Sequence, residues 1–118
     1  IFVNVDKARI IQVFSNILGN ALKFTKEENI SISFKKINEN KQVIVTIKDS
    51  GTGIDPEIYP RLFTKFATKS EEGTGLGLYI SKSIVEAHGG QIWAENNSDG
   101  RGATFYFTLP IGKSCDIK

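Results

Sequence analysis

The apolar residues of this chain change their period several times, and the order of those changes is what most constrains the fold. From about Asp6 to Phe24 they recur with helical spacing, at Ile10, Phe14, Ile17, Leu18 and Ala21. Asp6 stands where an N-cap is needed. Ile30, Ile32 and Phe34, then Val43, Val45 and Ile47, alternate with polar residues and predict two strands joined by a turn at Asn38-Glu39-Asn40. A short helix is predicted around Pro56 to Phe63, with Pro56 suited to a first turn. Thr68 to Gly75 is small, polar and glycine-containing, and is expected to be a mobile loop. A second long helix is predicted from about Gly75 to His88, ended by Gly89-Gly90. Gln91 to Glu95 and Ala103 to Leu109 close the chain as strands, the second alternating at Ala103, Phe105, Phe107 and Leu109. The expected fold class is α+β. It is a two-layer sandwich in which a mixed, mostly antiparallel sheet of about five strands is covered on one face by about three helices.

Length and composition remove several functions. The 118 residues suit one domain, 1–118, and the initial Ile in place of Met suggests a domain excised from a longer chain. No apolar run is long enough for a membrane span, and no leader pattern precedes the first helix. The net charge is only +2 and the lysines are scattered, so no nucleic-acid footprint is expected. A single cysteine, Cys115, excludes an internal disulfide and points to a reducing, cytoplasmic compartment. A single histidine, His88, excludes a multi-histidine metal cluster.

Three features carry possible chemistry. On the first helix, Gln12, Asn16, Asn20 and Lys23 fall on one stripe opposite the apolar residues. A solvated face is the plain reading, yet asparagine is a poor mid-helix residue. An amide oxygen suits Mg²⁺ and a lysine suits phosphate, so the two readings stand level on these residues alone. Asp49 continues the inward phase of Val43, Val45 and Ile47. A carboxylate in that register is costly unless paired. It is either a cap for the turn at Gly51 or an acceptor at the bottom of a pocket, and Gly51-Thr52-Gly53-Ile54 would let a ligand approach the backbone. Gly73-Thr74-Gly75-Leu76-Gly77-Leu78 opens the second long helix, whose N-terminal N–H groups suit phosphate. It matches neither the dinucleotide fingerprint nor the P-loop.

The order of these segments resembles a known family. Asn16-Ile17-Leu18-Gly19-Asn20-Ala21-Leu22-Lys23-Phe24-Thr25 resembles the asparagine box of sensor histidine kinases. Asp49-Ser50-Gly51-Thr52-Gly53-Ile54 is similar to their first glycine box. Arg61-Leu62-Phe63-Thr64-Lys65-Phe66 resembles the phenylalanine box, and Gly73 to Ile80 the second glycine box. Glu86-Ala87-His88-Gly89-Gly90 and Thr108-Leu109-Pro110 also follow the family's text. The likeness covers nearly the whole chain. The family is the catalytic, ATP-binding domain of two-component histidine kinases, in the wider group with the Bergerat-type fold that includes gyrase, Hsp90 and MutL.

The resemblance implies roles. Asn20 would ligate Mg²⁺ and Asn16 would support the same end. Lys23 would contact phosphate, and Asn16 and Lys23 would be the catalytic pair. Asp49 would accept a hydrogen bond from the adenine amine, with Gly51, Gly53 and Ile54 around the base. Phe63 and Phe66 would anchor a lid over 68–75, short by family standards, with Lys69 as its candidate phosphate contact. Gly75, Leu76 and Gly77 would meet the phosphates, and Phe66, Thr74 and Leu78 complete the implied nucleotide-binding set. His88 is not the family's phosphoacceptor; that histidine would lie on a separate helical dimerisation domain. Partners would be ATP, that domain and, through it, a response regulator. The domain alone would be monomeric, and its parent can be membrane-anchored. Alternatives are a self-contained ATPase or a serine kinase of the same group, or a non-catalytic nucleotide-binding regulatory module. ATPase relatives carry a glutamate where Asn16 stands, and an amide is no general base, which favours transfer to histidine.

Overall fold

A computed structural model describes residues 5–24, 30–37, 39, 41–51, 53–65, 76–98 and 100–111. Helix α1 spans Lys7–Phe24. Asp6 caps it as expected: its Oδ1 accepts from the Arg9 N–H at 3.3 Å, and its carbonyl accepts from the Ile10 N–H at 3.0 Å. Strands β1 (Ser31–Ile37) and β2 (Gln42–Lys48) follow, then a 3₁₀ turn at Tyr59–Arg61. Helix α2 (Gly77–Ala87) and strands β3 (Ile92–Asn96) and β4 (Ala103–Pro110) complete the described elements.

The strands form one sheet in the order β1-β2-β4-β3, and every neighbouring pair is antiparallel. Four strands and two α-helices are thus present among the described residues, against about five and three expected. The class is unchanged. The missing helix is the one predicted around Pro56. There the Asp55 carbonyl accepts from Ile58 and Tyr59, and its Oδ1 from the Glu57 N–H at 2.8 Å, so the segment turns tightly without propagating a helix. Pro60, inside the 3₁₀ turn, supplies no N–H to continue it.

The core lies between the helices and one sheet face. Ile10, Val13 and Ile17 come from α1, Ile84 and Val85 from α2. Val43, Val45 and Ile47 stand opposite Leu109, Phe107 and Phe105 in register, so paired residues share the inner face. Phe14 meets Phe107 edge-on with ring centroids 5.3 Å apart. β1 forms where the alternation predicts a strand. Its alternation places Ile32 opposite Ile47 and Phe34 opposite Val45, but they remain 43% and 59% exposed. β1 is an edge strand of the sheet, and the described helices leave it uncovered.

His88 joins the two helices. Its Nδ1 donates to the Ile84 carbonyl at 2.8 Å, and its Nε2 accepts from the Asp6 N–H at 3.0 Å. The carbonyl can only accept, so it selects the tautomer. No described helix is long and apolar enough to cross a membrane.

Candidate nucleotide site

Asp49 follows the last residue of β2 and is 6% exposed. Its Oδ1 accepts from Gly51 N–H at 3.0 Å and Ala103 N–H at 3.2 Å, while its own N–H donates to the Ala103 carbonyl at 2.9 Å. The turn-capping reading is thus met by one oxygen of the side chain. Oδ1 holds the backbone, and among the described residues no donor reaches Oδ2. A buried carboxylate oxygen in that state is costly without a partner, so the position is suited to a ligand that donates.

The support around Asp49 comes from residues 97, 98 and 100–102 between β3 and β4, which no motif in the sequence singles out. Asn97 Nδ2 donates to the Asp49 carbonyl at 2.8 Å and to the Arg101 carbonyl at 2.7 Å. Gly102 has φ +77°, and a Cβ there would overlap the Asp49 carbonyl and stand 2.7 Å from Oδ1. Asn96 pairs with the backbone of Ile54 in both directions, accepting from its N–H at 2.7 Å and donating to its carbonyl at 3.3 Å. That pairing holds Gly53, at φ +82°, against the Asn96 side chain, where a Cβ would come within 2.9 Å of Oδ1. The visible signal was a run of asparagine and glycine between two strands. It reads as an ordinary hairpin turn, and nothing in the sequence ties it to Asp49 48 positions earlier.

The second group of site residues lies where α1 meets α2. Asn16 is half-buried, and its Nδ2 donates to the Gly77 carbonyl at 3.0 Å and to Ser81 Oγ at 3.1 Å. The asparagine stripe and the second glycine box are thus brought into direct contact. Asn20 is half-buried one turn along, and Gln12 accepts from Arg9 at 3.4 Å. Leu76, Gly77 and Leu78 are half-buried at the start of α2, which has no side-chain N-cap. Phe66, Lys69, Thr74 and Gly75, the expected lid over 68–75, and the side chain of Lys23 lie outside what is described.

The segment after Ile54 bridges the two groups. The Tyr59 hydroxyl donates to the Ala94 carbonyl at 2.8 Å, Phe63 packs edge-on to Phe105 at 6.4 Å, and Lys65 Nζ lies 5.2 Å from the centre of the Tyr79 ring on α2. A recess of about 310 Å³ is lined by Ile30, Ser31, Lys48, Asp49, Ser50, Asn97 and Arg101. Ser31 and Lys48 are cross-strand partners in the register opposite to inward-facing Ile47. The recess is therefore distinct from the contact between Asn16 and Gly77, and it meets the first group of site residues at Asp49, Asn97 and Arg101.

The comparisons with known proteins agree with this geometry. A family model described as "Histidine kinase-, DNA gyrase B-, and HSP90-like ATPase" matches residues 5–113, so the chain belongs to that family. Among curated relatives, the phytochrome-like protein Cph1 of Synechocystis is 40% identical over 114 residues, covering 93% of this chain and 15% of that protein. The sensor histidine kinase WalK of Bacillus subtilis is 38% identical over 117 residues, covering 93% of this chain and 19% of that protein. The catalytic domain of histidine kinase ThkA superposes with a TM-score of 0.79 at 37% identity, over 92% of this chain and 70% of that one. Full-length ShkA in complex with AMPPNP gives 0.82 at 30% identity, over 95% and 23%. The chain therefore carries the ATP-binding catalytic domain of a histidine kinase, and it spans under a fifth of the length of these curated relatives.

Proposed function

We propose that this chain, as one domain of a longer protein, holds ATP and Mg²⁺ and presents the γ-phosphoryl group to a histidine on a separate helical domain. The observation that carries the adenine end is the buried Asp49 carboxylate, with Oδ1 committed to the backbone and Oδ2 reached by no donor among the described residues, so that it can take an incoming donor such as the adenine amine. Gly51, Gly53 and Ile54 would border the base. Asn20, with support from Asn16, would meet the metal, while Lys23, Lys69 and residues 74–78 would meet the phosphates.

The residues present fit a magnesium nucleotide. Among the described residues no three His, Cys, Asp or Glu side chains cluster as a metal site. Mg²⁺ tolerates such a setting, because it keeps several waters and takes oxygens from phosphates. When bound, it would neutralise phosphate charge, and positioning would supply most of the remaining catalysis. Hydrolysis is disfavoured: Asn16 cannot serve as a base, and its nitrogen is engaged by Gly77 and Ser81. ATP as substrate puts the domain on the cytoplasmic side, and the partners would be the dimerisation domain and, beyond it, a response regulator.

The test is to mix the chain with a histidine-bearing helical domain of its own parent and γ-labelled ATP. Acid-labile label on that domain is expected. Steady phosphate release without it would overturn the transfer reading.

A further inference from the structure

Ser81 is fully buried in α2, one turn after Gly77, where alanine would be the better helix former. A buried hydroxyl is costly unless it is satisfied, and this one is satisfied in a directional way. Its Oγ–H donates to the Gly77 carbonyl at 2.9 Å, so it presents a lone pair to the Asn16 amide 3.1 Å away. The Gly77 carbonyl, 3.0 Å from the same amide, can only accept. Both neighbours therefore demand the nitrogen of Asn16, and the flipped amide is excluded. The oxygen is left beside the Gly77 Cα, with Oδ1 3.7 Å from where a Gly77 Cβ would stand, and no donor among the described residues reaches it.

We propose that Ser81 is a positioning residue for the nucleotide site: its hydroxyl, with the Gly77 carbonyl, locks the Asn16 amide so that its oxygen faces the Mg²⁺–phosphate end at the start of α2. This rests on the nucleotide reading above. Without the hydroxyl, Asn16 keeps only the Gly77 carbonyl as an anchor, and its amide is held less firmly in that orientation. Outer-layer partners of this kind set metal affinity through the orientation of the group they hold. A merely structural serine would affect stability alone.

The experiment compares wild type, Ser81→Ala and Ser81→Thr on the 118-residue chain. Affinity for a non-hydrolysable ATP analogue is measured by calorimetry with and without MgCl₂, alongside Tm and the NMR signals of the Asn16 side-chain amide in the nucleotide-free chain. Ser81→Ala should keep its Tm within a few degrees and its metal-free affinity within about twofold. Its affinity gain from MgCl₂ should shrink by about tenfold, and the Asn16 amide signals should move. Ser81→Thr keeps the oxygen but adds a methyl group at a fully buried position. It should lose Tm yet retain the gain and the amide signals. The proposal is overturned if the gain tracks Tm across the variants, if wild type shows no gain, or if Ser81→Ala leaves the Asn16 signals unmoved. The NMR arm needs no nucleotide. Unmoved signals therefore count against Ser81 alone, whereas absent binding in wild type counts against the nucleotide reading itself.

Discussion

Gly102→Ala should be far more damaging than Gly100→Ala, although both glycines lie in the same hairpin with φ near +80° (+77° and +81°). The backbone penalty for a non-glycine residue there is about 1–2 kcal/mol in each case. At Gly100 an added Cβ meets nothing within 4 Å, so the loss stops at that value. At Gly102 the Cβ would overlap the Asp49 carbonyl and lie 2.7 Å from its Oδ1. Relief requires the two segments to part. That strains the Ala103 N–H bond to Asp49 Oδ1 (3.2 Å), the Asp49 N–H bond to the Ala103 carbonyl (2.9 Å) and the Asn97 N–H bond to the Gly102 carbonyl (3.0 Å). Neutral bonds contribute about 0.5–1.5 kcal/mol each and one to a carboxylate about 1.5–3 kcal/mol. Partial loss of these raises the total at Gly102 to roughly 3–6 kcal/mol. The two variants should then differ in Tm by on the order of 10 °C. Calorimetric or circular-dichroism melts would measure this, and ATP-analogue affinity at low temperature should fall only for Gly102→Ala. Equal melting of the two variants would refute the claim that the hairpin is packed against Asp49.

Two further outcomes follow from the geometry. Burial first, and then the hydrogen bond and charge of Glu95, hold the Tyr106 hydroxyl above its ordinary 10.0. A raised pKa means that this stabilising contribution is complete below about pH 10 and lost as pH rises through the higher folded value. Glu95→Gln should lower the midpoint of one tyrosine in an ultraviolet titration, and an unchanged titration would show that Glu95 is not the partner. His88→Ala removes the hydrogen bond that ties the start of α1 to α2 and a second one within the last turn of α2, and should cost about 1–2 kcal/mol in urea denaturation while leaving nucleotide affinity within twofold. NMR should show the wild-type ring protonated on Nδ1 at neutral pH. Label appearing on His88 itself during phosphotransfer would contradict its purely architectural role.

Much of this was legible in the sequence because it depends on local patterns. The Asp6 cap, the α1 face of Ile10 and Ile17, and the strand of Ala103 to Leu109 each follow from spacing and one end signal. The inward phase of β2 likewise carried over to a buried Asp49. What was not legible depends on contacts distant in the chain. Nothing in the alternation of Ile32 and Phe34 says that β1 is an edge. Asn97 and Gly102 look like turn residues until the fold lays them on Asp49. Ser81 sits inconspicuously in a helix until Asn16, 65 positions away, is seen to need it. Local Asp55 bonds replaced the helix expected after Pro56, an outcome that helical periodicity cannot weigh.

The most direct test of the central claim is purine discrimination by Asp49. The affinity of the chain for a non-hydrolysable ATP analogue is compared with that for its inosine counterpart, which carries a carbonyl in place of the amine. Asp49→Asn is the paired variant, because an amide oxygen can still hold Gly51 and Ala103 in place of Oδ1. If Oδ2 accepts from the adenine amine, wild type should prefer the adenine analogue by roughly tenfold or more, since a buried acceptor left unpaired is costly. That preference should collapse in Asp49→Asn while its melt stays close to wild type. Equal affinity of wild type for both analogues, or a preference that survives in Asp49→Asn, would contradict the account.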